Sequence, residues 1–207
     1  AYLMIYYGLS ARGQNLWTAR DQEKNEIEWP TVTVQLPIYN ERNVAERVIR
    51  AAASMDYPRD RLEIQVLDDS VDETRQIIDR VVEGFAREGL DIKAIRREDR
   101  GGFKAGALAH GTALARGEFL AVFDADFVPN PACLRLTLPP FRADSKIAFV
   151  QARWGHLTRG EIIVTLCLSL GIDGHFMVEQ PARAKSGMFM NFNGTVGVWL
   201  SLAFEDA

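Results

Sequence analysis

Short apolar runs alternate along this chain with longer segments whose apolar positions recur at helical spacing. Thr31-Val32-Thr33-Val34-Gln35-Leu36 is β-branched and apolar, which predicts a first strand, stopped by Pro37. Val44 to Ser54 then reads as a helix, capped by Asn43 with Glu46 completing a capping-box-like start. Tyr57-Pro58 breaks it. Glu63-Ile64-Gln65-Val66-Leu67 predicts a second strand, followed by a helix from Asp72 to Glu88 with Ile77, Ile78, Val81, Val82 and Phe85 on one face. The same rhythm gives a third strand over Asp91 to Ile95, a third helix over Lys104 to Arg116 and a fourth strand over Glu118 to Phe123. Ile147 to Val150 is a fifth strand, and Glu161 to Val178 reads as a long apolar helix. Strands alternating with helices in this way predict an α/β fold: an open, doubly wound, mostly parallel sheet with helices on both faces.

The polar residues that end these strands carry the chemistry. Asp124-Ala125-Asp126 closes the fourth strand, and the period of two lets both carboxylates leave the sheet edge on one side. Such a pair is a hard-oxygen platform for Mg²⁺ or Mn²⁺, which can in turn hold phosphate oxygens; a solvated acidic turn is the plainer alternative. Tyr39-Asn40-Glu41 follows the first strand, where the ring can lie against a base and Glu41 can accept from ribose hydroxyls, or where the segment is only a turn. Asp68-Asp69-Ser70 follows the second, able to cap a helix and also to accept the N–H of a uracil or guanine. In a parallel sheet these three motifs share one edge, which is where open α/β sheets bind ligands. Gly101-Gly102-Phe103-Lys104 matches neither phosphate-loop template; Lys104 at a helix start suits a diphosphate or a salt link to the strand-end carboxylates, and an ordinary glycine turn is the equal alternative. Phe192-Asn193-Gly194-Thr195 reads as a turn, or as small polar groups that let a sugar ring approach. Trp154, near Gln151 and Arg153, is either core or a carbohydrate platform.

Composition narrows the classes. The chain has 207 residues, 47% of them hydrophobic and 25% charged, which is the make-up of a folded domain. A net charge of -4 with no basic stripe argues against nucleic-acid binding, since Glu98 and Asp99 interrupt the cluster of Arg96, Arg97 and Arg100. Cys133 and Cys167 suit buried thiols, and His110, His156 and His175 lack metal-ligand spacing. Residues 1–29 divide into an apolar, aromatic opening, Ala1 to Leu9, and a charged linker from Arg20. The opening reads equally as an amphipathic terminal helix or as the cytoplasmic end of a transmembrane helix. Residues 30–207 form the main domain, and the ending inside a starting helix at Phe204 to Ala207 is expected to be that of a fragment.

Taken in order, Pro37-Ile38-Tyr39-Asn40-Glu41, Leu67-Asp68-Asp69-Ser70, Lys104-Ala105-Gly106-Ala107-Leu108, Asp124-Ala125-Asp126, Val150-Gln151-Ala152-Arg153-Trp154 and Phe192-Asn193-Gly194-Thr195 resemble the motifs of family 2 glycosyltransferases. The likeness is to the membrane-bound cellulose-synthase and mannan-synthase-like branch, and it runs from about Pro30 onward. It implies a GT-A fold, C-terminally incomplete here, and inverting transfer of glucose or mannose from a UDP- or GDP-sugar to a polysaccharide or lipid acceptor, with a divalent metal. It implies a catalytic domain on the cytoplasmic side of the cell membrane. By position, Tyr39, Glu41, Asp68 and Asp69 would hold the nucleoside, Lys104 the diphosphate, Asp124 ribose or diphosphate, and Asp126, with Asp124, the metal. Gln151, Trp154, Asn193, Gly194 and Thr195 would line the acceptor side. The family's later Thr-Glu-Asp motif, source of the general base, and its Gln-x-x-Arg-Trp are not matched, and Glu205-Asp206 follows too soon to stand for the first. This chain alone is therefore expected to be inactive. Metal-dependent nucleotidyl transfer and a non-catalytic nucleotide-sugar-binding fragment are the alternatives.

Overall fold

A computed structural model describes residues 28–152, 182–183, 186 and 192–205. The chain divides into two units, residues 23–152 with 194–207 and residues 1–22 with 153–193. In the second, the described residues are Phe192, Asn193 and a helical turn in which the Ser186 N–H donates to the Ala182 carbonyl. The expected helix from Glu161 to Val178, the apolar opening of the chain, Trp154 and Cys167 lie outside the described residues.

In the larger unit the strands are β1 (Val32–Ile38), β2 (Leu62–Asp68), β3 (Asp91–Ile95), β4 (Phe119–Val122), β5 (Phe149–Gln151) and β6 (Gly197–Leu200). They form one sheet among the described residues, in the order β3-β2-β1-β4-β6-β5. β1, β2, β3 and β4 are parallel, and β6 runs against both of its neighbours. The described helices of this unit are α1 (Ala45–Ala53), α2 (Thr74–Arg87), α3 (Phe103–Thr112), α4 (Cys133–Thr137), α5 (Pro139–Ala143) and α6 (Ser201–Glu205). α1 packs on α2 and both touch the sheet, whereas α3 lies on β1 and β2 and meets α6.

Every residue of β1 and β2 is buried, as expected of parallel strands covered on both faces. The face under α3 is unusually polar, carrying Thr33, Gln35, Glu63 and Gln65. Gln35 Nε2 donates to Gln65 Oε1 at 3.1 Å, and Gly111 of α3 lies so close that a Cβ there would stand 2.6 Å from Leu67 Cδ2. Glu63 is the anchor of this face. Thr33 Oγ1 donates to it at 2.7 Å, the Arg116 N–H at 2.9 Å, and Lys93 Nζ lies 2.6 Å away.

Burial pushes the Glu63 carboxyl up, but the bonds from Lys93, Thr33 and Arg116 outweigh it and hold it below its ordinary 4.5. A depressed carboxylate stabilises the fold above its unfolded pKa and ceases to as pH falls through the folded one. Glu63→Gln is therefore expected to cost about 2 kcal/mol at pH 7. The deficit should shrink as pH drops below 4.5. Urea unfolding of both proteins from pH 7 to 3 measures it; a deficit that stays constant with pH would contradict the assignment.

Three sequence expectations change. β1 does not stop at Pro37 but runs through it to Ile38. Pairing with β4 ends at Gln35, so the missing N–H of Pro37 leaves no bond unmade on that side. Asn43 does not cap α1: the N–H groups of Val44 and Ala45 both donate to the Glu41 carbonyl at 3.0 Å, and Glu46 turns to Arg50 and Arg80 instead. α3 ends at Thr112, short of Arg116, whose backbone and side chain are drawn to Glu63. β6, α4 and α5 were not anticipated, being too short to show a period.

Candidate active site

Parallel order puts the ends of β1, β2, β3 and β4 on one edge, and the reversal of β6 brings the segment just before it to the same edge. The result is a cleft of 350 Å³ lined by Tyr39, Glu41, Asp69, Arg100, Lys104, Asp124 and Asp126, with Pro37, Ile38, Leu67, Ala107 and Ala125 as its apolar part. Of the residues singled out from the sequence, Tyr39, Glu41, Asp69, Lys104, Asp124 and Asp126 are brought together. Asp68 is not. It is 2% exposed; its Oδ1 accepts from the Ser70 N–H at 2.9 Å and its Oδ2 from Arg96 Nε at 2.8 Å, while Arg96 also reaches Asp79 at 2.7 Å. It braces the end of β2 from beneath.

Lys104, in the first turn of α3, bonds Asp124 and donates to the Gly194 carbonyl at 2.7 Å. The N–H of Asp124 donates to Thr195 Oγ1 at 2.8 Å. Gln151 Nε2 donates to the Thr195 carbonyl at 2.9 Å. Gly194, Thr195 and Gln151, expected on an acceptor side, therefore hold the carboxylate end of β4 in place. Asn193 is half-buried in the other unit.

Glu41 is pushed above its ordinary value, first by burial; the Tyr39 backbone bond opposes this, Asp126 and Asp124 add to it, and Lys104 subtracts. Three carboxylates thus share one electrostatic neighbourhood. Among the described residues no group of three or more His, Cys, Asp and Glu side chains is set to hold a metal by itself.

Sequence reasoning passed over the basic side of the cleft. The Arg100 guanidinium lies 3.3 Å from the centre of the Tyr39 ring and 5.1 Å from that of Phe103, with Nε 3.9 Å from Asp69 Oδ2. Arg97 grips Asp69 with two bonds of 2.9 and 2.6 Å. The signal was the position of these arginines just after β3, at the same edge as the acidic motifs. Asn40 was also missed: its Oδ1 accepts from Val71 N–H at 2.9 Å and its N–H donates to Ser70 Oγ at 3.0 Å, tying the loop after β1 to the loop after β2.

The non-glycine residues described with positive φ are Asn40 at 55°, Phe103 at 49° and Val196 at 56°. Each is the chain neighbour of a residue named above: Glu41, Lys104 and Thr195. Strained backbone of this kind persists where the surroundings dictate it, and it gathers at functional sites. Val196 is held by its N–H to the Val122 carbonyl at 2.7 Å and its carbonyl to the Ala152 N–H at 3.0 Å.

The family model described as Glycosyl transferase family 2 matches residues 33–165. The chain belongs to glycosyl transferase family 2. As a family 2 chain it is 40% identical over 191 residues to glucomannan 4-beta-mannosyltransferase 2 of Arabidopsis thaliana, matching 90% of this chain and 36% of that protein. It is likewise 40% identical over 191 residues to the probable glucomannan 4-beta-mannosyltransferase 7 of Oryza sativa subsp. japonica, across 90% of this chain and 33% of the relative. The chain thus spans about a third of the length of these curated relatives. Among solved structures it resembles the mannosyltransferase PcManGT from Pyrobaculum calidifontis in complex with GDP-Man and Mn²⁺, with a TM-score of 0.66 and 24% identity over 96% of this chain and 52% of that one. A Mycobacterium tuberculosis glucosyl-3-phosphoglycerate synthase structure gives a TM-score of 0.55 at 20% identity, covering 92% of this chain and 62% of the other. The fold is GT-A, as the resemblance of the motifs implied. No helix of the described residues is long and apolar enough to cross a membrane.

Proposed function

We propose that this family 2 chain carries the donor site of a metal-dependent, inverting hexosyltransferase that moves mannose from GDP-mannose onto a β-linked polysaccharide. The sugar and acceptor rest on the two glucomannan 4-beta-mannosyltransferases at 40% identity. One observation carries the site: Asp124, Asp126 and Lys104 converge where β4 ends, with Tyr39 and Asp69 across the same cleft. On this reading a nucleoside would lie by Tyr39 and Asp69, a ring for the base and a carboxylate for its N–H groups. Glu41 is left for ribose hydroxyls and Lys104 for the diphosphate.

The donor set suits a hard divalent cation. Asp124 and Asp126 offer oxygens only, and the Asp126 carboxylate pairs with no cation among the described residues. Mg²⁺ and Mn²⁺ are commonly held by one or two carboxylates together with phosphate oxygens, which agrees with a site that is incomplete without its donor. When bound there, the ion would neutralise charge developing on the leaving nucleoside diphosphate. Asp124 bonds the Lys104 ammonium at the cleft, whose apolar lining includes the buried Ala107 and Ala125. A polysaccharide or lipid acceptor would enter from the side of Gly194 and Thr195. Attachment to the cytoplasmic face of the membrane would come from segments outside residues 28–205. Nucleotidyl transfer shares the carboxylate pair but usually calls for a glycine- and basic-rich loop after the first strand, where this chain has Tyr39-Asn40-Glu41.

Calorimetric titration with GDP-mannose and UDP-glucose, in Mn²⁺ and in EDTA, tests the reading. Binding of GDP-mannose is expected in Mn²⁺, about tenfold or more weaker in EDTA. Equal affinity in both buffers would remove the metal. A clear preference for UDP-glucose would reassign the donor.

A further inference from the structure

Arg97 makes four hydrogen bonds although it stands on a short loop at the edge of the sheet. Nε donates to Asp69 Oδ1 at 2.9 Å and Nη2 to Asp69 Oδ2 at 2.6 Å. Nη1 donates to the Gly101 carbonyl at 2.7 Å, and Nη2 also to the Phe103 carbonyl at 2.7 Å. Its side chain is only 12% exposed. The two carbonyls belong to the loop that enters α3, and Lys104 is the residue after the second of them. Lys104 in turn spans to Asp124 and to the Gly194 carbonyl. An unbroken path of bonds therefore runs from the carboxylate at the end of β2, through one guanidinium, to the lysine that meets the end of β4.

Two further features show that the loop is shaped around this group. A Cβ on Gly106 would stand 2.4 Å from Arg97 Nη1 and 2.1 Å from the Gly101 carbonyl, so the glycine leaves the room in which they meet. Phe103 adopts φ 49° and Gly102 φ 71°, a left-handed pair that turns the Gly101 and Phe103 carbonyls toward the guanidinium. Only a planar fork can satisfy two carboxylate oxygens on one side and loop carbonyls on the other; an ammonium cannot.

We infer that Arg97 is a positioning residue that couples the base-side carboxylate Asp69 to the phosphate-side Lys104, so that each is in place only when the other is. It rests on the donor reading above and goes beyond it by linking two subsites that touch different parts of the ligand. Without Asp69 the guanidinium loses half of its bonds, the loop loosens, and Lys104 is misplaced. A second loss at Lys104 then costs less than it would alone.

A double-mutant cycle measures this. GDP and UDP are titrated with Mn²⁺ into the native chain, Asp69→Asn, Lys104→Met and the double variant, and the set is repeated with Arg97→Lys. In the native background the double variant should bind about fivefold more tightly than the product of the two single losses requires. With Arg97→Lys the losses should multiply. Losses that multiply in the native background, or that stay coupled with Arg97→Lys, overturn the inference. A native chain that binds neither GDP nor UDP overturns the donor reading itself, a visibly different result. A second measurement leaves Arg97 untouched: amide hydrogen exchange of residues 101–106 should quicken about tenfold in Asp69→Asn. Unchanged exchange there would also overturn it.

Discussion

Asp126→Ala is expected to weaken metal-dependent donor binding about 100-fold while leaving the fold intact. Asp126 is exposed and pairs with no described cation, so nothing in the packing depends on its carboxylate. Substitution at such a position changes stability by less than about 0.5 kcal/mol. The ligand sees a larger change. Two diphosphate charges entering beside Asp124 and Glu41 need a cation between them, and Lys104 is already engaged by Asp124. Removing one of the two carboxylates proposed to hold the ion should weaken Mn²⁺ and with it GDP-mannose by about 100-fold. Thermal melting and calorimetry in Mn²⁺ on the same sample separate the two effects. Native-like affinity in Asp126→Ala would take this carboxylate out of the metal site.

Gly117→Ala should do the reverse, harming the fold far from the cleft. A Cβ at Gly117 would stand 2.3 Å from the Thr33 nitrogen, 2.7 Å from the Val32 carbonyl carbon and 2.8 Å from the Phe119 oxygen. All three are backbone atoms at the start of β1 and β4, where register is set by Val32 opposite Phe119. No side-chain rotation relieves that clash, so strands at the centre of the sheet must separate. Overpacking of this kind costs about 3 kcal/mol, which for a domain of this size lowers Tm by roughly 10 °C. The Gly117 N–H also donates to Thr33 Oγ1 at 2.9 Å, a bond the displaced chain would lose. A melting point within a degree or two of the native one would show that the turn is softer than its contacts imply.

The alternation of strands and helices was legible because β1, β2 and β4 are buried on both faces and so read as largely apolar runs. The acidic ends of β1, β2 and β4 follow directly from that reading; β3, Asp91 to Ile95, is partly exposed at the sheet edge and showed only through the rhythm of strands and helices. The basic residues of the cleft were not legible in the same way. Arg96, Arg97 and Arg100 look in sequence like a charge cluster neutralised by Glu98 and Asp99. In space Arg96 belongs to Asp68, Arg97 to Asp69, and Arg100 to the Tyr39 ring. Likewise Gly194 and Thr195 looked in sequence like small polar groups beside a sugar, and only the fold shows that they also fasten Lys104 and Asp124. β6 was missed because four residues, the first of them Gly197, carry no period that could be told from a turn.

By itself the sequence determined the fold class, the family and the edge at which chemistry gathers, since these depend on local periodicity and on motifs that each occupy a few adjacent residues. Tertiary structure decided which of two adjacent aspartates faces the cleft: Asp68 and Asp69 differ only in the side of the strand they leave, and a burying arginine claims the first. It also decided the direction of β6, and with it the support behind Asp124. Ion pairs between residues 28 apart in the chain, such as Arg97 and Asp69, are set by the pairing of β2 with β3. No local pattern encodes that pairing, because its free energy comes from contacts that exist only once the sheet has formed.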